Sequence, residues 1–327
     1  MRAIVITRPG APDVLELRDV ADPVPGAREI LVHVHATAIN RADLLQRAGH
    51  YPAPAGAPAD VPGLEYAGVV EGTGADVTRW QTGDRVMGLV GGGSYAELLV
   101  THEDETVGIP DALDFTHAAA VPEAFITAHD ALFTQMRLAA DETLLIHAVG
   151  SGVGTAGLQL ARAAGARVIG TQRSAWKLDR ARVLGLDVAI DSSTQDFVEV
   201  VMRATDGRGV DGVLELVGGG YLAGDIEVLA VKGRILLVGL VAGATTQLDM
   251  RALLKKRATL IGTVLRARSH AEKVAVTRAF ERDVLPLLAA GQVVPVIDEI
   301  LPLADAARAH TIVHENRNFG KIVLVAG

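Results

Sequence analysis

Apolar residues follow two rhythms along the chain. Up to about residue 122 they form short runs rich in Val and Leu, at 3–7, 29–36, 66–72 and 95–101. Glycine, proline and aspartate separate the runs, as in Pro62-Gly63, Thr82-Gly83-Asp84 and Ile109-Pro110-Asp111. Runs this short are thin for helices and predict strands joined by turns in a mostly β body. Near residue 123 the rhythm changes. Strand-like runs at 144–147, 167–171, 188–190, 212–216, 234–238 and 259–263 alternate with alanine-rich helical stretches at 153–164, 175–184, 195–204, 221–229 and 250–256. That alternation predicts an α/β domain with a doubly wound parallel sheet and helices on both faces. A long helix over 271–290 follows, then a strand at 293–297, a helix at 303–309 and a last strand at 321–325. The tail resumes the short-strand character of the first part. The expected organisation is therefore a catalytic body from 1–122, a nucleotide-binding insertion over 123–265, and a return over 266–327.

Composition narrows the function. Two domains are the prior for 327 residues, and a core of Val, Ile, Leu and Ala suits 49% hydrophobic against 4% aromatic residues. A net charge of -8 gives no broad attraction to nucleic acid or to an anionic membrane. There is no cysteine, which excludes disulfides, thiolate nucleophiles and cysteine-ligated zinc. No signal-peptide pattern stands at the N-terminus, and no apolar run approaches the ~20 residues of a membrane span. A cytoplasmic protein is the expectation.

The richest stretch runs from Leu144 through His147-Ala148-Val149-Gly150-Ser151-Gly152-Val153-Gly154. It passes from a strand through a glycine-rich turn straight into a helix. Backbone amides of such a turn, with the positive helix end, can hold a pyrophosphate. Gly152 is expected to let the phosphate approach, and Gly154 to let the helix pack on the strand. Val149 takes the first glycine position of the strict fingerprint. No Gly-Lys-Ser/Thr follows, which disfavours a Walker ATP site.

The end of the second strand selects the coenzyme. An acid there suits the ribose hydroxyls of NAD, and a nearby arginine suits the 2′-phosphate of NADP. Gln172-Arg173-Ser174-Ala175-Trp176-Lys177 has no acid but two cations and a hydroxyl. Arg173, Ser174 and Lys177 therefore point to NADPH, although the same cations also suit a solvated helix start. The histidines are scattered, with no His-Glu-x-x-His and no Gly-x-Ser-x-Gly elbow, so no metal site and no serine hydrolase is expected. Hydride transfer from a nicotinamide needs neither, because the coenzyme carries the electronic chemistry.

Four blocks carry a family likeness: Ala38 to Arg47 with Tyr51-Pro52, Pro62 to Gly68, Gly83-Asp84-Arg85-Val86, and His147 to Thr155. Together they resemble the zinc-free quinone oxidoreductase branch of the medium-chain dehydrogenase/reductase superfamily, nearest the tumour-protein-inducible quinone oxidoreductases. The likeness runs end to end. It implies a GroES-like catalytic domain around a Rossmann domain, NADPH as coenzyme, and a homodimer. Zinc-bearing relatives carry a cysteine where this chain has Asn40, a histidine where it has Leu64, and a cysteine or aspartate near Thr127. By the same likeness Asn40, Tyr51 and Thr127 line the nicotinamide and substrate end, and Gly152, Val153 and Gly154 hold the pyrophosphate. Ser174 and Lys177 match phosphate-contacting positions, Val217, Gly239 and Leu240 follow strands along the coenzyme path, and Asn318 is a cleft residue. Ser192 and Leu45 stand where some bacterial relatives carry tyrosines. The implied reaction is hydride transfer from NADPH to a quinone without a metal. The alternatives are reduction of a 2-alkenal or enone, and a non-catalytic NADPH-binding sensor or structural protein.

Overall fold

The computed structural model describes residues 1–326. The chain divides into two units, one of Met1–Ile126 with Leu265–Gly327, the other of Thr127–Val264.

The first unit opens with an antiparallel pair, β1 (Arg2–Ile6) and β2 (Leu15–Asp19). The strands β3 (Glu29–Ala38), β4 (Glu65–Thr73), β5 (Arg85–Leu89), β6 (Leu98–His102) and β7 (Thr106–Gly108) follow. In β3, Ile30, Val32, Val34 and Ala36 are buried while His33 and His35 between them face the other way. This is the period-two pattern of a strand with one face on a core. Two helices punctuate the unit, α1 (Arg41–Arg47) after β3 and α2 (Phe115–Ala119) after β7. Asp43 in the first turn of α1 accepts from the Asn40 amide at 2.8 Å. Asp114 caps α2 by accepting from the His117 amide at 2.8 Å, so each helix start is satisfied by a short acid.

The second unit starts at α3 (Thr127–His129), flanked by wider helical turns, and then alternates strand and helix. Its elements are β8 (Thr143–Ile146), α4 (Gly152–Ala163), β9 (Arg167–Gln172), α5 (Ala175–Val183), β10 (Val188–Asp191), α6 (Phe197–Ala204), β11 (Val210–Glu215), α7 (Tyr221–Val228), β12 (Leu229–Leu237), α8 (Met250–Lys256) and β13 (Thr259–Gly262). The six strands are all parallel, in the order β10-β9-β8-β11-β12-β13. Strand order reverses between β8 and β11, and ligands of such sheets sit at the carboxyl ends beside that reversal. Leu145, Ile169, Ile190, Val213 and Ile235, one from each of five strands, share a core with Val201, Leu222 and Ile226 of the helices.

The chain then returns to the first unit with α9 (His270–Asp283), α10 (Leu285–Ala289), β14 (Ile297–Pro302), α11 (Ala306–His314) and β15 (Lys321–Val325). The sheet there runs β14-β15-β3-β4-β5-β7, with β6 also paired to β3. A directed chain of hydrogen bonds ties α11 to α1. Arg47 donates to His310 Nδ1 at 3.2 Å, the other imidazole nitrogen meets the Tyr95 hydroxyl at 3.2 Å, and Tyr95 donates to Asp43 at 3.2 Å.

Three tail expectations change. The helix expected over 271–290 is two helices, because Pro286 has no amide to continue the ladder and the break falls at Val284. The strand expected at 293–297 begins only at Ile297, where pairing with Lys321 starts. The helix expected at 303–309 is a short turn followed by α11.

Candidate active site

On the nucleotide side, β8 leads through a turn in which Ala148 takes a φ of 50° and into α4. The Ser151 hydroxyl caps the helix by accepting from the Gly154 amide at 3.1 Å. The amides of Gly152 and Val153 meet no acceptor among the described residues and lie at the positive end of α4. A side chain at Gly154 would put its Cβ 2.5 Å from the carbonyl oxygen of Ala148 and 2.8 Å from that of Val149. The helix thus seats directly on the turn, and only glycine permits it. The same holds beyond β12, where a Cβ on Gly239 would come within 2.3 Å of the Leu216 carbonyl.

Arg173 is exposed after β9, and Ser174 stands at the N-cap of α5 without capping it, its hydroxyl making no hydrogen bond among the described residues. Lys177 is buried on the first turn of α5 at 5% exposure, which does not match a solvated helix residue. Val217 and Gly218 donate their amides to Glu215 Oε1 at 2.5 and 2.8 Å, fixing the turn after β11. Leu240, two residues after Val238, is half exposed. Thr127 begins α3, and its buried hydroxyl has no hydrogen-bond partner among the described residues.

Beneath the phosphate turn lies a buried polar cluster that sequence reading missed. His147 bonds Asp225 at 2.7 Å through Nε2 and Thr171 at 2.8 Å through Nδ1. Burial lowers the His147 pKa to about 4, keeping the ring neutral. One oxygen each of Glu215 and Asp225 accepts no other hydrogen bond, and a proton held between the two carboxyls satisfies both. Desolvation raises both carboxyl pKa values, so the folded chain holds a proton that the unfolded chain has released above about pH 4. Stability contributed here is therefore lost as pH rises through neutrality. Asp225→Asn keeps the bond to His147 and supplies a permanent hydrogen for Glu215. It is expected to stabilise the protein at pH 9 by on the order of 2 kcal/mol while doing little at pH 5. Urea melts at the two pH values check this, and a parallel loss at both would contradict it.

In the catalytic unit the decisive group is Lys321, the first residue of β15. Its ammonium, 4% exposed, donates to the carbonyl oxygen of Ile39 at 2.9 Å, to Asn40 Oδ1 at 2.5 Å and to Glu65 Oε1 at 2.7 Å. Asn40 Nδ2 donates to the same Glu65 oxygen at 2.8 Å, and the Glu123 amide donates to Glu65 Oε2 at 2.8 Å. Both ends of the Asn40 amide are thus engaged in the protein. Tyr51 is half buried with the Arg266 guanidinium 5.1 Å above its ring, and burial raises its pKa. Arg266 in turn donates to the carbonyl oxygens of Gly91 at 2.8 Å and Tyr51 at 3.3 Å. Asn318 donates to the Gly320 carbonyl at 2.7 Å.

Known proteins place this arrangement. Residues 26–111 match the alcohol dehydrogenase GroES-like domain family, and residues 152–281 match the zinc-binding dehydrogenase family. A quinone oxidoreductase of Pseudomonas aeruginosa is 35% identical over 317 residues, covering 97% of each chain. The chain belongs to the quinone oxidoreductases of the medium-chain dehydrogenase/reductase superfamily. A quinone oxidoreductase of Rattus norvegicus is 32% identical over 329 residues, covering 99% of this chain and 98% of its own. The crystal structure of Escherichia coli quinone oxidoreductase complexed with NADPH superposes with a TM-score of 0.90 at 28% identity, covering 99% of this chain and 100% of that one. The mixed fold of a GroES-like domain and a parallel Rossmann sheet agrees with the sequence expectation.

The family name that mentions zinc can be tested against the residues of this quinone oxidoreductase. Leu64 offers no donor atom, and the Asn40 amide is spent on Lys321 and Glu65. A buried ammonium already sits against Glu65. A dication there would face a fixed positive charge with neither thiolate nor imidazole to bind it, so zinc does not fit. The nucleotide side does fit a dinucleotide. Two free amides at a helix start, glycines where a Cβ would collide, an uncommitted Ser174 hydroxyl and Lys177 beside it are what a pyrophosphate and a 2′-phosphate require.

Proposed function

We propose that this quinone oxidoreductase reduces a quinone with NADPH, without a metal, and that the site residues anticipated from the sequence divide the work. The observation that carries the metal-free mechanism is the Asn40–Glu65–Lys321 cluster, in which a lysine ammonium is the resident cation. When bound, NADPH supplies the hydride. Gly152 and Val153 donate amides to its pyrophosphate, and Gly154 keeps that turn seated. Arg173, Ser174 and Lys177 receive the 2′-phosphate, and Val217, Gly239 and Leu240 border the path to the nicotinamide. Asn40, Tyr51 and Thr127 shape the substrate end, with Asn318 beside them. Lys321 holds Asn40 in one orientation, and the low-dielectric surroundings keep water from the reacting atoms. The nucleotide-binding domain is read as residues 123–265, inserted between 1–122 and 266–327. A homodimer in the cytoplasm completes the reading, and no helix among the described residues is long and apolar enough to cross a membrane.

Loss of reduced-coenzyme absorbance with an ortho-quinone, a para-quinone and an α,β-unsaturated aldehyde, all with a chelator present, tests the assignment. NADPH-preferring turnover of quinones supports it. Turnover of the aldehyde alone would replace it with the enone reductase. Lys177→Met is expected to raise the Kd for NADPH about tenfold to a hundredfold, the worth of one charge-assisted hydrogen bond, and to leave NADH binding nearly unchanged. Titration with both coenzymes measures the difference, and equal losses would remove Lys177 from the phosphate site.

A further inference from the structure

Among the described residues, two groups of imidazole and carboxylate side chains stand close enough to share an ion. The group of His147, Glu215 and Asp225 is closed. Both nitrogens of its imidazole are bonded within the protein, at 2.7 and 2.8 Å, and all three side chains are shut off from solvent. The group of His102, Asp104 and His270, in the catalytic unit, is open. One donor atom of each lies within 4.8 Å of the other two, and all three side chains reach solvent. His102 ends β6, and Asp104 stands in the short turn Glu103–Glu105 that follows. His270 opens α9, with Ser269 capping that helix. The rings of His102 and His270 are 4.1 Å apart between centroids. Nδ1 of His102 is 3.7 Å from Oδ2 of Asp104. Two donors on one zinc ion, with bonds of about 2.1 Å, are separated by a similar distance, roughly 3–4 Å.

The donor atoms are available. Nδ1 of His270 donates to the Glu105 carboxylate at 2.7 Å, which fixes the proton on that nitrogen and leaves the Nε2 lone pair free. A carboxylate behind an imidazole in this way is the usual support of a histidine ligand. Oδ1 of Asp104 makes no hydrogen bond among the described residues, while Oδ2 meets Arg28 at 3.1 Å. Arg28 is held chiefly by Glu103, through two bonds of 2.9 and 3.1 Å, so its charge is largely neutralised there. Nδ1 of His102 accepts only the Asp104 amide, at 3.1 Å, a bond that an ion would replace. Burial, and then the neighbouring His270, lower the His102 pKa and keep that ring neutral.

We propose that His102, Asp104 and His270 form a zinc site at the surface of the catalytic unit, separate from the Asn40–Glu65–Lys321 cluster. Two imidazoles and a carboxylate suit zinc, with water completing the tetrahedron. The role is a clasp. His102 and Asp104 belong to the segment before the nucleotide insertion, and His270 to the segment after it. The ion ties the returning chain to the end of β6, where Arg278 of α9 already donates to the carbonyl oxygens of Asp104 and Thr106 at 2.6 and 3.3 Å. It takes no part in hydride transfer and is independent of the quinone reductase reading.

The test is a zinc titration of the chelator-stripped, full-length protein in competition with a chromogenic chelator. One ion per chain is expected to bind, and His102→Ala or His270→Ala should lose it. Glu105→Ala removes only the support behind His270 and should weaken binding by about 10- to 100-fold. The other close imidazole pair, His33 and His35, has ring centroids 5.1 Å apart. A His33→Ala/His35→Ala double variant should bind zinc as the wild type does. A measurement free of variants follows the imidazole resonances of the wild type, where zinc should shift two of the ten histidines. Zinc should also raise the urea midpoint of the wild type and leave that of His270→Ala unchanged. An ion that survives both single histidine variants, or is lost with His33 and His35, would overturn the inference, as would failure of the wild type to compete with the chelator.

Discussion

Lys321→Met is expected to lower the unfolding free energy of the catalytic unit by about 3–5 kcal/mol, the usual cost of removing one partner of a buried ion pair. The ammonium is the only cation in contact with Glu65 among the described residues, and Glu65 is fully buried. Without it the carboxylate keeps only the Asn40 amide and the Glu123 main-chain hydrogen. Adding Glu65→Gln should recover a large part of the loss, because a neutral amide needs no counter-charge. The two tryptophans make this measurable: Trp80 lies in the catalytic unit and Trp176 in the nucleotide unit. In a Trp176→Phe background, fluorescence in a urea titration follows the catalytic unit alone. A Lys321→Met midpoint equal to that of the parent would show the cluster to be incidental.

Gly154→Val should abolish useful coenzyme binding, with Kd rising by about 100-fold or more, as for an ångström-scale displacement of a positioned group. The added side chain collides with main-chain carbonyls of the turn, which cannot rotate aside as a side chain would. Relief requires moving the helix start, and with it the amides of Gly152 and Val153. Gly157→Ala, one turn further along α4, is the control. Its Cβ would meet a side-chain carbon of Leu214 at 3.0 Å, so it taxes packing without touching the turn. Calorimetric titration with NADPH should find binding nearly intact in Gly157→Ala and lost in Gly154→Val. Similar affinities for the two variants would mean that the turn tolerates displacement.

The nucleotide unit was legible in sequence because its signals are local. The strands of the parallel sheet are short apolar runs, the helices between them are longer contiguous stretches, and the phosphate turn is a contiguous string. The catalytic unit was less so. The short helix α1 and the strands β2, β5 and β7 are brief elements fixed by pairing and capping with distant residues. The break in the helix after residue 270 did carry a local sign in Pro286, outweighed by the apolar periodicity around it. Lys321 could be seen only as the first residue of a strand. Its meaning depends on Asn40, 281 positions away, and on Glu65, and no spacing rule joins them. Nor does composition mark the pairing of Glu215 with Asp225, since each acid alone reads as an ordinary strand or helix residue.

The position of β15 has a consequence for how the protein is made. Residues 127–264 form one continuous stretch and are complete before β14 and β15 of the catalytic sheet have left the ribosome. β15 then enters between β14 and β3 and carries Lys321 with it. Until those residues emerge, the sheet lacks an inner strand and Glu65 lacks its counter-ion. A stalled or clipped product therefore pairs a formed nucleotide-binding unit with an unfinished partner that exposes strand edges, the kind of species that aggregates and that quality control removes.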